Sequence, residues 1–239
     1  MINSIIQNNL DNSDDYIVGF ADLDGLNLPH RFGIVIGKRL DDKIIDSINN
    51  GPTLRYFEYY NEINTNLAAI IHSINNQLTD LGYECFVVEP TNHGQDASDE
   101  EYRKTLRTPV SHKMIATRAG LGWIGKTDLF ISKEFGPRLR LVSLLTNYPL
   151  EITGESIDKS KCGKCELCVV NCPANAATGQ LWDIYTDRDV FFDAHKCRNT
   201  CRELVKKLLD LDSAACGICI SVCPVGKFRE DTSVDCKST

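Results

Sequence analysis

Along the first 150 residues the apolar positions switch between two periods. "YIVGFADL" (16–23) and "RFGIVIGKRL" (31–40) are short apolar runs that predict strands. From Glu62 to Leu81, the residues Ile63, Leu67, Ile70, Ile71, Ile74 and Leu78 recur at three- and four-residue steps. That spacing predicts an amphipathic helix, with Gly82 as its C-cap. "YECFVVEP" (83–90) predicts another buried strand, closed by Pro90. Pro109 then opens "VSHKMIATRA", a helical stretch whose stripe is Val110, Met114 and Ile115. In "LFISKEFGPRLRLVSLLTN" (129–147) the turn residues "EFGP" separate two runs that read as paired strands. The order predicts an α/β domain with a mixed or antiparallel sheet.

Cysteine usage changes the picture after residue 150. Of eleven cysteines, only Cys85 lies in the first 160 residues, and ten fall between residues 162 and 236. The step marks a boundary in the polar stretch "NYPLEITGESIDKSK" and predicts domains over 1–155 and 156–239. The N-terminus has no basic region or apolar run of a signal peptide, and no segment approaches the roughly 18 apolar residues of a membrane helix. A cytoplasmic protein without membrane contact is expected, in which crowded cysteines bind metal more readily than they form disulfides. The net charge of −7 argues against a nucleic-acid partner.

Spacing identifies the chemistry. Cys162-x2-Cys165-x2-Cys168-x3-Cys172-Pro173 is the run of a bacterial ferredoxin. Its fourth cysteine serves a second cluster, which demands a reciprocal set downstream. Cys216-x2-Cys219-x3-Cys223-Pro224 supplies that set, less one ligand. Cys197 and Cys201, one helical turn apart in "DAHKCRNTCREL", are the candidates for it. The first [4Fe–4S] cluster is assigned to Cys162, Cys165, Cys168 and Cys223. The second takes Cys172, Cys216, Cys219 and Cys197, leaving Cys85, Cys201 and Cys236 as spare thiols. Structural zinc would call for two separated pairs rather than three closely spaced thiols and a Cys-Pro.

"GLGWIGKT" (120–127) matches both the dinucleotide fingerprint and the P-loop. Either site needs a strand before the glycines and a helix after them. Here the predicted order is helix then strand, which removes both. A helix C-cap with a tight turn accounts for the glycines, as does close backbone approach to a flat ligand.

Taken together, "RAGLGWIGKTDLFISKEFGPRLRLVSLLTN" (118–147), "CGKCELCVVNCP" (162–173), "DAHKC" (193–197) and "CGICISVCP" (216–224) resemble the epoxyqueuosine reductases, corrinoid-dependent iron–sulfur reductases. The resemblance implies an α+β protein: a nitroreductase-like, cobalamin-binding domain with a mixed sheet, then a small ferredoxin-like domain with two [4Fe–4S] clusters. It favours Cys197 over Cys201 as the separated ligand. It also places Gly120, Gly122, Trp123, Gly125 and Lys126 at the corrinoid pocket, beside the plainer readings of a core tryptophan and a solvated lysine. The family's aspartate proton donor, three residues before the proline, corresponds to Leu106 here. Longer members also add helical repeats that help hold tRNA, so a short paralogue with another acceptor is expected.

Tyr102, His112 and Glu101 lie near enough to that segment to be weak catalytic candidates, while His30 and Asp24 form no constellation. The expected function is a reductase passing electrons from a ferredoxin- or flavodoxin-type donor, through two clusters, to a cobalamin that reduces a small-molecule substrate. A non-catalytic protein that reduces or reactivates a partner corrinoid enzyme, and a redox sensor without a second ligand, are the alternatives.

Overall fold

Ile34, Val35 and Ile36 are wholly excluded from solvent, so both faces of their sheet are covered. The computed structural model, which describes residues 1–90 and 100–227, shows what covers them. Helix α1 (Ile2–Asn9) leads into β1 (Tyr16–Asp22) and β2 (Phe32–Arg39), followed by α2 (Asp42–Asp46), α3 (Leu54–Asp80) and β3 (Cys85–Val88). Next come α4 (Glu100–Thr105), α5 (His112–Arg118), a ribbon of β4 (Gly122–Ile124) and β5 (Phe130–Ser132), and β6 (Leu139–Thr146). The cysteine-rich segment carries α6 (Leu167–Val170), α7 (Arg188–Phe191), α8 (Ala194–Leu209) and α9 (Ile218–Ser221).

The main sheet runs β1-β2-β6-β3 and every pairing is antiparallel, the second of the two alternatives the strand pattern offered, so the mixed sheet implied by the resemblance is corrected. Alternation sorts its side chains. Ile34, Ile36, Val142 and Leu144 meet Leu67 and Ile71 of α3. Ile17, Val35, Leu139 and Leu145 join Ile115 of α5 on the opposite face. Both clusters draw on the cysteine-rich segment: Ala215 and Ile220 complete the first, and Ala176, Phe191 and Phe192 the second.

Three local expectations change. Helix α3 begins at Leu54 rather than Glu62: Thr53 caps it through the Tyr56 N–H, and Tyr56 and Tyr60 extend the buried stripe with aromatic residues. Strand β3 is an edge strand, half-exposed rather than buried. Strand β5 pairs with β4, Trp123 opposite Ile131, and not across "EFGP" with β6. Ser132 Oγ caps that turn by accepting from the Phe135 N–H at 2.9 Å, and the chain then swings to β6 through Arg138.

The expected linker is strapped down. Thr153 N–H donates to the Phe20 carbonyl, its hydroxyl accepts from the Phe20 N–H at 2.7 Å, and Ile157 N–H donates to the Thr117 carbonyl. Arg138, completely buried, donates to Asp42 at 2.8 Å, to Asp46 at 2.6 Å and to the Ser221 carbonyl at 3.1 Å. This joins β6, α2 and the end of α9. Among the described residues no helix is long and apolar enough to cross a membrane.

Gly136, at φ +56°, faces the backbone of residues 225 and 226, and a Cβ there would lie 1.9 Å from the Val225 carbonyl oxygen. Gly136→Ala should therefore lower stability by at least about 2 kcal/mol, read as the thermal midpoint of the cluster-loaded protein. Gly25→Ala is the control: its φ is +77° with nothing within 4 Å, so it carries backbone strain without the collision. Equal losses in the two variants would contradict the account.

Candidate functional site

The first thiol set gathers where α6 begins. Cys165 N–H donates to the Cys162 carbonyl, closing a turn that carries Cys162 and Cys165 up to Cys168 in the helix. Cys223 arrives from the chain after α9. Burial raises its thiol to about 11, and the fields of Cys168, Cys162 and Cys165 push the same way. Burial also raises Cys168, with Cys162 and Cys165 adding to it, while a hydrogen bond from the Thr127 hydroxyl opposes the shift. Four sulfurs thus share one field.

The second set lines a cavity of about 200 Å³. Cys172, Cys197, Cys201, Cys216 and Cys219 form part of its wall, and Arg140 is its cation. Burial raises the Cys219 thiol above its ordinary range, reinforced by Cys197, Cys216, Cys168 and Cys172. Cys197 and Cys201 sulfurs lie 3.8 Å apart. A hydrogen bond from Cys201 lowers Cys216 to about 7 and is the main cause lowering Cys197, while Cys201 itself is raised. Cys201, expected as a spare thiol, therefore stands inside this set. Of the other two, Cys85 donates to Thr146 Oγ1 on the sheet edge, and Cys236 lies outside the described residues.

Among the described residues no three His, Cys, Asp or Glu side chains converge closely enough for a single ion. Three thiols at two-residue steps followed by a Cys-Pro, with a second set lining a cavity, is a donor set for a cubane rather than for tetrahedral zinc. The residues present fit two clusters.

"GLGWIGKT" lies between α5 and β5, helix before strand as expected. Its glycines face protein. A Cβ on Gly120 (φ +73°) would meet the Glu155 carbonyl oxygen at 2.7 Å, and one on Gly122 the Ile131 carbonyl oxygen at 2.1 Å. One on Gly125 would press on the Ile131 side chain at 3.0 Å. Close packing against the strap and the ribbon accounts for these glycines. The polar members of the stretch point at the first thiol set. Trp123 Nε1–H donates to Cys162 Sγ at 3.4 Å, Thr127 donates to Cys168, and Lys126 Nζ lies 3.5 Å from Glu166 Oε1. Lys126 is only 3% exposed, so the solvated-lysine expectation is corrected. Thr127 was readable in the motif, but nothing in the sequence showed which way it faces.

A separate open basin of about 450 Å³ lies between α5 and residues 156–188. Met114, Trp182 and Ile184 give it apolar walls, with Ser111 and Ser156 hydroxyls, the cations Arg107, Lys113, Arg118 and Arg188 and the carboxylates Asp128 and Asp158 around them. Of residues 120–127 only Ile124 lines it. Leu106 sits at its rim in the left-handed region at φ +51°, a strained conformation for leucine. Arg188 fixes it there, donating to the Leu106 carbonyl at 2.8 Å and the Thr105 carbonyl at 2.5 Å. Sequence reasoning missed Trp182 and Arg188, whose only signal is one large aromatic and one cation within the cysteine-rich segment.

The three weak catalytic candidates are not brought together. Glu101 and Tyr102 lie on α4 and are not among the basin's lining residues. His112 is a tether. Its Nε2 donates to the Glu89 carbonyl at 3.0 Å, so Nδ1 accepts from Ser143 Oγ at 2.9 Å, and burial lowers it to about 4.

Residues 161–226 match the family model described as a 4Fe-4S double cluster binding domain. The chain is 33% identical over 128 residues to an epoxyqueuosine reductase of Atelocyanobacterium thalassa, covering 53% of this chain and 41% of that one. It thus spans less than half the length of that relative. By structure it is similar to a reductive dehalogenase described as suggesting a mechanism for B12-dependent dehalogenation, with a TM-score of 0.65 and 17% identity over 90% of this chain and 30% of that one. It is also similar to an epoxyqueuosine reductase solved with an epoxyqueuosine-modified tRNA stem loop, at 0.54 and 15%, over 94% of this chain and 64% of that one. That complex bears on the expectation of no nucleic-acid partner.

Two outcomes follow. Trp123→Phe removes an N–H···S hydrogen bond, so one of two cluster potentials should fall while iron content stays level, measured by anaerobic redox titration with EPR detection. Unchanged potentials would contradict the contact. His112 is held below its ordinary value, so its contribution is complete above pH 6.5 and is lost as pH falls from there towards 4. Wild type should lose about 2 kcal/mol through this group at pH 5 relative to pH 7.5, and His112→Asn should lack that component in paired thermal scans. Identical pH slopes would refute it.

Proposed function

We propose that this epoxyqueuosine reductase-like chain is a cytoplasmic iron–sulfur oxidoreductase in which two [4Fe–4S] clusters pass electrons to a corrinoid seated in the basin between α5 and residues 156–188. Residues 1–155 form the corrinoid-binding, nitroreductase-like domain in this reading, and residues 156–239 the cluster domain. Cys162, Cys165, Cys168 and Cys223 hold the first cluster. Cys172, Cys216, Cys219 and Cys197 hold the second. The observation that carries the reading is the pairing of two gathered thiol sets with one open basin whose walls come from both segments.

The basin suits a corrin in size and chemistry. A volume of about 450 Å³ accommodates one face of a flat macrocycle and leaves its side arms in solvent. Met114, Trp182 and Ile184 give that face apolar contact, while Ser111 and Ser156 reach peripheral amides and Arg118 a phosphate. When bound, cobalamin supplies a cobalt centre able to take electrons singly and to reduce an organic acceptor. The chain's own part is to hold and orient that group, to bring the clusters near it and to keep the clusters insulated from water. Arg188 holds the strained Leu106 segment at the rim, where a substrate would enter. An apolar leucine at this position offers no proton, so an acceptor that brings its own acidic proton, or draws one from water, fits best. The external donor is a ferredoxin- or flavodoxin-type protein.

A second reading, transfer of electrons to a partner corrinoid protein without turnover of a small molecule, is favoured by Leu106 alone. Titration of anaerobically purified protein with cob(II)alamin separates the readings. Wild type should shift the cobalamin spectrum and retain cobalt on gel filtration, whereas Met114→Trp, which fills the basin, should do neither. Wild type that leaves the spectrum unchanged and elutes without cobalt would remove the corrinoid.

A further inference from the structure

The second cavity presents five thiols where a cubane takes four. Three of them, Cys172, Cys216 and Cys219, have counterparts in the reciprocal ferredoxin pattern; Cys197 was assigned as the missing fourth, and the fifth, Cys201, was expected to stand apart. Helix α8 prevents that. Asp193 caps the helix by accepting from the Lys196 N–H at 2.9 Å, which sets Cys197 in the first turn. Four residues on, Cys201 falls on the same face. The two sulfurs are 3.8 Å apart, and Cys201 also hydrogen-bonds the Cys216 sulfur. A buried cysteine ordinarily serves as a small apolar filler. This one touches two members of the ligand set and lines the same cavity.

Resting on the double-cluster reading, we infer that Cys197 and Cys201 are interchangeable fourth ligands of the second cluster. The exchange balances within the site. The iron–sulfur bond to Cys197 breaks, a bond to Cys201 forms, and the Cys201 thiol proton passes across the 3.8 Å contact to the departing Cys197 sulfur. No electron moves and the charge of the site is unchanged. The unligated partner remains as a hydrogen-bond donor to the cluster's thiolates, the position Cys201 occupies toward Cys216.

The test compares wild type, Cys197→Ala, Cys201→Ala and the double variant, all purified anaerobically. Iron and sulfide per chain and EPR of the reduced protein are the readouts, and the signal of the first cluster reports a folded module in each. Wild type should carry about eight irons in two clusters. Each single variant should keep about eight, with the second cluster's EPR signal altered in Cys197→Ala. The double variant should fall toward about four. Loss of the second cluster in either single variant, with the other single variant at the wild-type level, would overturn the interchange. Cys197→Ser provides a second route: retention of the cluster with a spectrum matching Cys197→Ala supports ligation by Cys201, and a distinct oxygen-ligated spectrum opposes it. Wild type holding zinc or a single cluster would instead overturn the double-cluster reading itself.

Discussion

A single buried guanidinium holds the two halves of this chain in register. Arg138 is wholly excluded from water, and its charge survives there because Asp42, Asp46 and the Ser221 carbonyl all accept from it. Burying a charge without acceptors is costly, and three of them share the task here, so the loss of one leaves the guanidinium partly compensated. The contacts also fix geometry. Asp42 and Asp46 belong to α2, beside the sheet, whereas Ser221 ends the helix that carries Cys219 and lies two residues before Cys223. The position of cysteines serving both thiol sets is therefore referred to β6 through one side chain.

Around that anchor the cysteine-rich segment is less an appendage than a second cover for the sheet. Ala215 and Ile220 pack with α3, while Phe191 and Phe192 pack with α5. The reciprocal approach of Gly136 and residues 225–226 closes the same seam from backbone alone. Such continuity suits electron transfer. Apolar cover along this seam limits solvent around the sulfurs, one of the factors that set a cluster's potential.

"GLGWIGKT" shows how little of a motif's surroundings its letters carry. Its helix-then-strand setting removed the nucleotide readings, and the structure agrees. Yet its glycines serve the strap at residues 154–155 and the ribbon, while Trp123 and Thr127 reach cysteine sulfurs some forty residues away. Periodicity has no access to such contacts. It reports which face of an element is apolar, not what lies opposite. The same limit explains β3, whose apolar run lies half-exposed at a sheet edge, and β5, which pairs back to β4 because Ser132 and Gly136 close a tight turn before Arg138.

The amino-acid sequence alone determined the cluster chemistry, because ligation by cubanes imposes a continuous run of three thiols at two-residue spacing and a crossed-over Cys-Pro, whereas zinc sites use separated pairs. It determined the sheet strands and the long helix as well, since alternation and the 3.6-residue period are local properties. Tertiary structure decided what depends on the meeting of distant segments. It made the sheet antiparallel, buried Lys126, turned His112 into a tether between α5 and β6, and set Cys201 against Cys197 in the second thiol set. These outcomes depend on which face of one element lands on another, and that is settled by packing and by the pairing of buried polar groups across the whole chain.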